Sequence, residues 1–263
     1  MISFGIHRFM FYRGRRLYGL VIEAISRPGV LADVTRIIAD RGLDITYCST
    51  KIVKAEERGM ILLFLDFTES DAEPDELVEC LRSLEFIERV EVIRPTFEGF
   101  IADMVTFPLT INSSRAVIMD ENILRGLFLG FRERLGSGGE AMLYHLGLEA
   151  GRNRAEYVDR MAVKIGIEGL RERIEIVSGV FRSLGYGIME LLDLREEPPY
   201  VNIRLHSSIE CELGRGAGRP FSQFLRGAIA GFTSVLFDRD MFALEKRCIA
   251  QGDPYCEFEV TPR

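Results

Sequence analysis

The chain has 263 residues, 47% of them apolar and 28% charged, which is the composition of a soluble globular protein and about the length of two domains at roughly 150 residues each. No apolar run approaches the ~20 residues that cross a bilayer, and in residues 1–16 the basic side chains follow the apolar ones, the reverse of a secretory signal; we expect a cytoplasmic protein that does not enter a membrane. The net charge of −7 argues against nucleic acid as the main partner, since binding there is dominated by neutralising phosphates.

The charge is unevenly spread. Arg8, Arg13, Arg15 and Arg16 give the first 16 residues +4 with no acid among them, so the other 247 residues carry −11. Two readings of this head stand: a contact for an acidic partner, or a solvated arm or edge strand. From Leu17 the chain alternates between strand and helix periods. Leu17–Ala24 reads as a strand, and Ser26-Arg27-Pro28-Gly29 breaks it. Val30–Ala39 then has apolar residues at helical spacing. Gly42 ends that helix, and Leu43–Val53 and Met60–Phe67 read as strands. A second helix runs over Asp75–Leu84 behind Pro74, and Glu88–Ile93 alternates as a last strand. The order βαββαβ predicts a ferredoxin-like domain over residues 17–95.

That order, with S-R-P-G-V-L at the first strand-to-helix turn and R-G-L-D-I before the second strand, resembles the ACT domain. The resemblance implies a regulatory module that binds amino acids, usually in pairs of domains. Gly29 and Val30 would offer backbone N–H groups at a helix N-terminus to a ligand carboxylate, with Asp44 and Ile45 opposite. The alternative is that Pro28-Gly29 is turn chemistry and the module serves dimerisation.

Arg94-Pro95-Thr96 stops the last strand, and a second domain is expected over residues 104–263: mixed α/β, an antiparallel sheet packed on several helices. It opens with short strands at Met104–Thr110 and Arg115–Met119. Asp120 caps a helix to about Leu135, and Ser137 with Glu140 has capping-box spacing for a helix toward Ala162. Leu170, Ile174, Val177, Val180, Phe181 and Leu184 mark a third helix. Strands follow at Ile188–Leu194 and Tyr200–Cys211; alternation along the second places Cys211 with the apolar set, as a small core side chain or as a stand-in metal ligand. Gly126/Gly130, Gly147/Gly151 and Gly227/Gly231 each lie four apart on helices, at about 1 kcal/mol per glycine relative to alanine. Close helix packing or a ligand against backbone would offset that cost.

The last stretch, Phe242–Val260, reads as a hairpin with its tip near Gly252 and three potential metal ligands: Glu245, Cys248 and Cys256. Cys248 and Cys256 are equidistant from Gly252, whereas Glu245 is out of phase with Cys248 and joins them only through a bulge or a strand end. This stretch resembles the closing motif of the 4-vinyl reductase domain family, related to sensor domains of phenol-responsive activators and to subunits of a vesicle-tethering complex. The resemblance implies a structural zinc on Glu245, Cys248, Cys256 and an earlier cysteine; here the earlier position is Ser222, a poor zinc ligand. It also implies an apolar cavity between helices and sheet, for which Phe128, Tyr144, Leu148, Phe224 and Phe232 are the candidate lining.

Catalytic signals are thin. His7, His145 and His206 show no metal or triad spacing, and no phosphate-binding or dinucleotide fingerprint is present. The sequence therefore points to a small-molecule-sensing regulatory protein, not an enzyme, acting as a homodimer on an unidentified downstream protein by population shift. The alternatives are a reductase acting on a tetrapyrrole vinyl group and a tethering module that senses no ligand.

Overall fold

The computed structural model describes residues 2–51 and 58–263; the expected strand positions Ile52 and Val53 lie outside the described residues. The chain divides into two units, residues 1–117 and 118–263.

In the first unit β1 (Phe9–Phe11) precedes β2 (Leu17–Ile25), α1 (Val30–Ala39), β3 (Asp44–Lys51), β4 (Arg58–Asp66), α2 (Pro74–Arg82), β5 (Ile87–Ile93) and β6 (Phe100–Ala102). The four central strands form an antiparallel sheet in the order β3-β4-β2-β5. Leu20, Ile22 and Ala24 of β2 with Ile61, Leu63 and Leu65 of β4 face Val34, Ile38, Leu77 and Leu81 of the helices. The intervening residues Val21, Leu62 and Phe64 are buried on the other face, under Met10 of β1 and Ile101 of β6. Burial on both faces explains why these two strands read as continuous apolar runs. The basic head therefore enters as a separate two-stranded ribbon that covers this second face: β1 pairs antiparallel with β6, and Arg8 forms an ion pair at 2.6 Å with the fully buried carboxylate of Asp103.

The segment expected to open the second domain with strands of seven and five residues instead holds a two-residue hairpin, β7 (Thr110–Ile111) and β8 (Ser114–Arg115), turned by Asn112 and Ser113 at positive φ. It belongs to the first unit, and the second unit begins at Ile118.

The second unit comprises α3 (Glu121–Leu135), α4 (Ser137–Lys164), α5 (Leu170–Ser183), β9 (Ile188–Arg195), β10 (Tyr200–His206), α6 (Ile209–Leu213), α7 (Gln223–Leu236), β11 (Met241–Arg247) and β12 (Cys256–Pro262). Its sheet is antiparallel in the order β11-β12-β10-β9. Asp120 caps α3 as expected, accepting from the Ile123 amide at 3.1 Å. The expected capping box does not form at α4. Ser137 is already inside the helix, and Glu140 turns instead to Arg132 and Arg219.

Close helix contact accounts for two of the three glycine pairs. A Cβ at Gly147 or Gly151 of α4 would lie 2.0 or 2.2 Å from the carbonyl oxygens of Phe224 or Ala228 on α7, and one at Gly227 or Gly231 would lie 2.1 Å from those of Tyr144 or Leu148 on α4. The glycines interleave, and α4 and α7 meet backbone to backbone. Around Gly126 and Gly130 of α3 a Cβ would meet nothing within 4 Å.

Candidate metal centre and apolar cavity

The final hairpin is built from β11 and β12, with a short 3-10 turn at Ile249–Gln251 and Gly252 in the left-handed region at φ 105°. The register shifts between Glu245 and Arg247. This is the irregularity that the phase argument requires, and it turns Glu245 toward the cysteines. Cys248 and Cys256 are not opposed in the ladder, whose last pair is Arg247 with Glu257. Cys248 lies just beyond it, fixed by its amide donating to Asp253 Oδ2 at 2.9 Å.

Cys211 is not on a strand. β10 ends at His206, Ser207 takes φ 50°, and Ser208 begins the five-residue helix α6 with its hydroxyl accepting from the Cys211 amide. The turn redirects Cys211 into the hairpin. One ligand atom each from Cys211, Glu245, Cys248 and Cys256 lies within 4.8 Å of all the others, and the three cysteines are fully buried. A tetrahedral ion with metal–sulfur bonds of about 2.3 Å needs sulfurs about 3.8 Å apart, and Cys211 Sγ is 3.5 Å from Cys248 Sγ. Three thiols and one carboxylate therefore fit a thiophilic divalent cation in both chemistry and spacing.

Ser222, also fully buried, stands beside this set. Its hydroxyl donates to Glu245 Oε1 at 2.8 Å, its amide donates to Glu245 Oε2 at 3.3 Å, and its oxygen is 2.8 Å from Cys211 Sγ. Serine at a helix N-terminus ordinarily caps the helix, but Ser222 makes no cap bond to α7. Glu210 replaces it, accepting from the Phe224 and Leu225 amides at 3.0 and 2.9 Å. Glu210 is fully buried and also receives Arg132 Nη2 at 2.6 Å. Arg132 donates in addition to the carbonyls of Phe128 and Phe221 and stacks over the Phe221 ring at 3.8 Å. α6 thus presents two adjacent side chains in two directions, Glu210 to the start of α7 and Cys211 to the hairpin.

The buried thiols and the carboxylate of the cluster oppose one another electrostatically. Burial, together with the neighbouring Cys248 sulfur, pushes Glu245 up to about 8 against the pull of Ser222. Hydrogen bonds from Cys211 and Cys256 favour ionised Cys248, whereas the hydrogen bonds of Cys211 with Cys248 and Cys256, together with burial, push the Cys211 thiol up. Cys256, although favoured by its bond from Cys211, rises to about 12 under Cys248 and burial. Cys248 is favoured as the thiolate while Glu245, Cys211 and Cys256 are held toward their neutral forms beside it, and a divalent cation would favour the charged form of all four.

An apolar cavity of about 110 Å³ lies between α4, α5 and α7. Phe224 and Phe232 line it as expected, with Val180, Phe181 and Leu225, and Arg154 is at its margin. The other three candidates stand elsewhere. Phe128 packs with Leu143 and Leu213. The Tyr144 ring lies under the Arg226 guanidinium, and Leu148 packs on the main core, the carbonyl oxygens of both facing α7 glycines.

In the first unit the four expected ligand residues do not meet. β2 ends at Ile25 opposite Arg58, and Gly29, at φ 94°, follows it; Asp44 starts β3 opposite Asp66, which in turn faces Leu17 at the start of β2. Gly29 and Val30 thus lie at one end of the sheet and Asp44 and Ile45 at the other, a strand length of roughly 27 Å apart. The Val30 side chain is in the core.

The fold and the site define an α+β protein in which a ferredoxin-like unit accompanies a helix-and-sheet unit closed by a thiol-rich hairpin. More particularly, the ACT domain model matches residues 18–86 and the 4-vinyl reductase domain model residues 201–262, so the chain carries an ACT domain and a 4-vinyl reductase domain. It is similar to an uncharacterised protein of Methanocaldococcus jannaschii, 25% identical over 54% of this chain and 77% of that one. Among solved structures it resembles the phenol-responsive sensory domain of the transcription activator PoxR with phenol, at a TM-score of 0.53 and 19% identity, covering 58% of this chain and 79% of that one. A vinyl-4-reductase family protein from M. jannaschii matches at a TM-score of 0.42 and 20% identity, covering 56% of this chain and 84% of that one. No helix among the described residues is long and apolar enough to cross a membrane.

Proposed function

We propose that the chain is a regulatory small-molecule sensor whose 4-vinyl reductase unit takes a compact apolar ligand between α4, α5 and α7. The cavity carries this reading. At about 110 Å³ it approaches the roughly 150 Å³ apolar cavity that admits benzene, so its occupant is about one ring in size. PoxR's sensory domain is phenol-responsive, which supports a small aromatic here. A tetrapyrrole would need a site of several hundred Å³, and the titratable side chains lining this one are Arg154 and Tyr186. On this reading the protein is not an enzyme.

A structural zinc in the hairpin cluster completes the reading, joining the hairpin to α6 and α7 beside the cavity wall. In the ACT unit, an amino acid held by both Gly29 and Asp44 needs a second protomer to bring the two sheet ends together. A homodimer therefore belongs to this proposal, with action in the cytoplasm on a downstream protein through the differential affinity of its two states for ligand.

Thermal unfolding with phenol and a size series of alkylphenols tests it. Ring-sized compounds should raise the Tm of the wild type, and Val180→Phe, which fills the cavity, should abolish the shift while leaving the protein folded. If no compound moves the Tm of a protein that unfolds cooperatively, the sensing reading fails and a tethering role gains.

A further inference from the structure

The 4-vinyl reductase resemblance places the fourth zinc ligand at residue 222, where this chain has serine. We propose that Cys211 takes that place in the metal centre and that Ser222 acts as a positioning residue, holding Glu245 as the fourth donor. The proposal rests on the zinc reading given above.

Cys211 and Ser222 both reach the cluster, and chemistry separates them. A thiolate is a charged, soft donor, whereas the neutral hydroxyl of serine has little affinity for a thiophilic cation. The hydroxyl is also already committed. The Ser222 hydroxyl and amide take one oxygen each of the Glu245 carboxylate, the arrangement by which an outer partner fixes a carboxylate ligand. Cys256 receives the Ile249 amide at 3.4 Å, a contact that suits a thiolate. Cys211 Sγ, at 3.5 Å from Cys248 Sγ, stands at the separation expected of two sulfurs on one ion.

The local fold shows how the ligand could move along the chain. With Glu210 capping α7, Ser222 is free of the task its position would impose. The turn at Ser207 and Ser208 then brings α6, and Cys211 with it, to the hairpin from a point 11 residues before Ser222. A centre made this way binds α6 to the hairpin directly and α7 through the Ser222–Glu245 contact. α7, one of the three helices that line the cavity, and α6, whose Glu210 caps α7, are therefore held by the same ion.

Cobalt(II) substitution tests the assignment, because the intensity of thiolate-to-metal charge transfer counts the sulfurs on the ion. Zinc-free full-length protein would be titrated with cobalt(II) and then zinc, calibrated against Cys2His2 and Cys3His zinc-finger peptides. The wild type should show the intensity of three thiolates at one metal per chain. Cys211→Ser should lose about a third of that intensity, as one sulfur of three leaves the ion, with zinc affinity falling about 100-fold or more. Ser222→Ala should keep the three-thiolate spectrum with affinity about 10-fold to 100-fold weaker, the range for an outer partner. A two-thiolate spectrum in the wild type overturns the assignment of Cys211 while the zinc reading stands, and this count needs no variant to fold. A spectrum lost in Ser222→Ala but unchanged in Cys211→Ser overturns it too. A wild type that binds neither metal overturns both the assignment and the zinc reading.

Discussion

The two units bury different kinds of side chain. The core between sheet and helices in the first is apolar throughout, with Leu20, Ile22, Leu63 and Leu65 against Val34, Ile38, Leu77 and Leu81. Its buried polar groups Ser26, Asp66 and Asp103 lie at or just past strand ends. The second unit buries Arg132, Glu210, Ser222 and three thiols beside an apolar core of its own. Apolar burial is non-directional and tolerates small errors. A buried ion pair or thiol cluster costs free energy unless every partner is in place. The second unit should therefore be the one in which loss of a few atoms has a large effect, and in which an ion or ligand can bias the fold.

The sharpest test of that contrast is Arg132→Met, which leaves Glu210 buried with its two amide donors and no cation. Breaking one partner of such a pair costs about 3–5 kcal/mol, and urea unfolding should show the loss in the second unit with the first unchanged. A loss near zero would mean that the second unit stands on its apolar core alone, as the first does.

A milder test stays within the helices. Gly231→Val places a side chain 2.1 Å from the Leu148 carbonyl oxygen, where backbone and not a flexible side chain must yield. Overpacking of this kind typically costs about 1–3 kcal/mol. Gly126→Ala, where a Cβ meets nothing within 4 Å, should instead stabilise by up to about 1 kcal/mol. The same spacing thus predicts opposite signs at two places, and denaturant midpoints of the two variants check it. Equal destabilisation would show that the spacing, not the α4–α7 contact, governs.

What could be read in the chain beforehand follows the range of the interactions. The βαββαβ order was legible because the helices carry a helical period, β2 and β4 read as continuous apolar runs, and Pro28-Gly29, Gly42, Pro74 and Pro95 mark most of the boundaries. Glu245, Cys248 and Cys256 were legible because one hairpin holds all three, and even the need for a bulge followed from their phase. Cys211 was obscured by a local coincidence: Val201, Ile203, Leu205, Ser207, Ile209 and Cys211 alternate as a strand would, yet the chain leaves the sheet after His206. Ser208 ahead of two early glutamates was the available sign of a helix start. Pairing of Gly29 with Asp44 failed on topology. β2 and β3 both run antiparallel to β4 and hence parallel to each other, so the end of one and the start of the other lie at opposite ends of the sheet. The cavity lining was half legible, because the sequence marks which residues lie near the glycines but not which side of the α4–α7 contact they occupy.

The smallest expected effect concerns the first unit and its Asp66 carboxylate, whose pKa is lowered. Burial raises Asp66, but the Thr68 hydroxyl and amide and the Arg15 guanidinium at 2.6 Å outweigh it and hold the carboxyl below its ordinary 3.8. A native value below the unfolded one means that the unfolded chain binds the proton more readily. The stabilisation is then fully present above about pH 4 and lost as pH falls through the native value. Because Arg15 is half exposed, the charge contribution should stay under about 1 kcal/mol and shrink with added salt. Asp66→Asn should therefore unfold at lower urea than the wild type at pH 7, with the difference narrowing as the pH is taken below 3. A difference that stays constant across that range would show that Thr68 and Arg15 do not favour the ionised form of Asp66 in the native state, and would leave the first unit with no electrostatic dependence at this strand end.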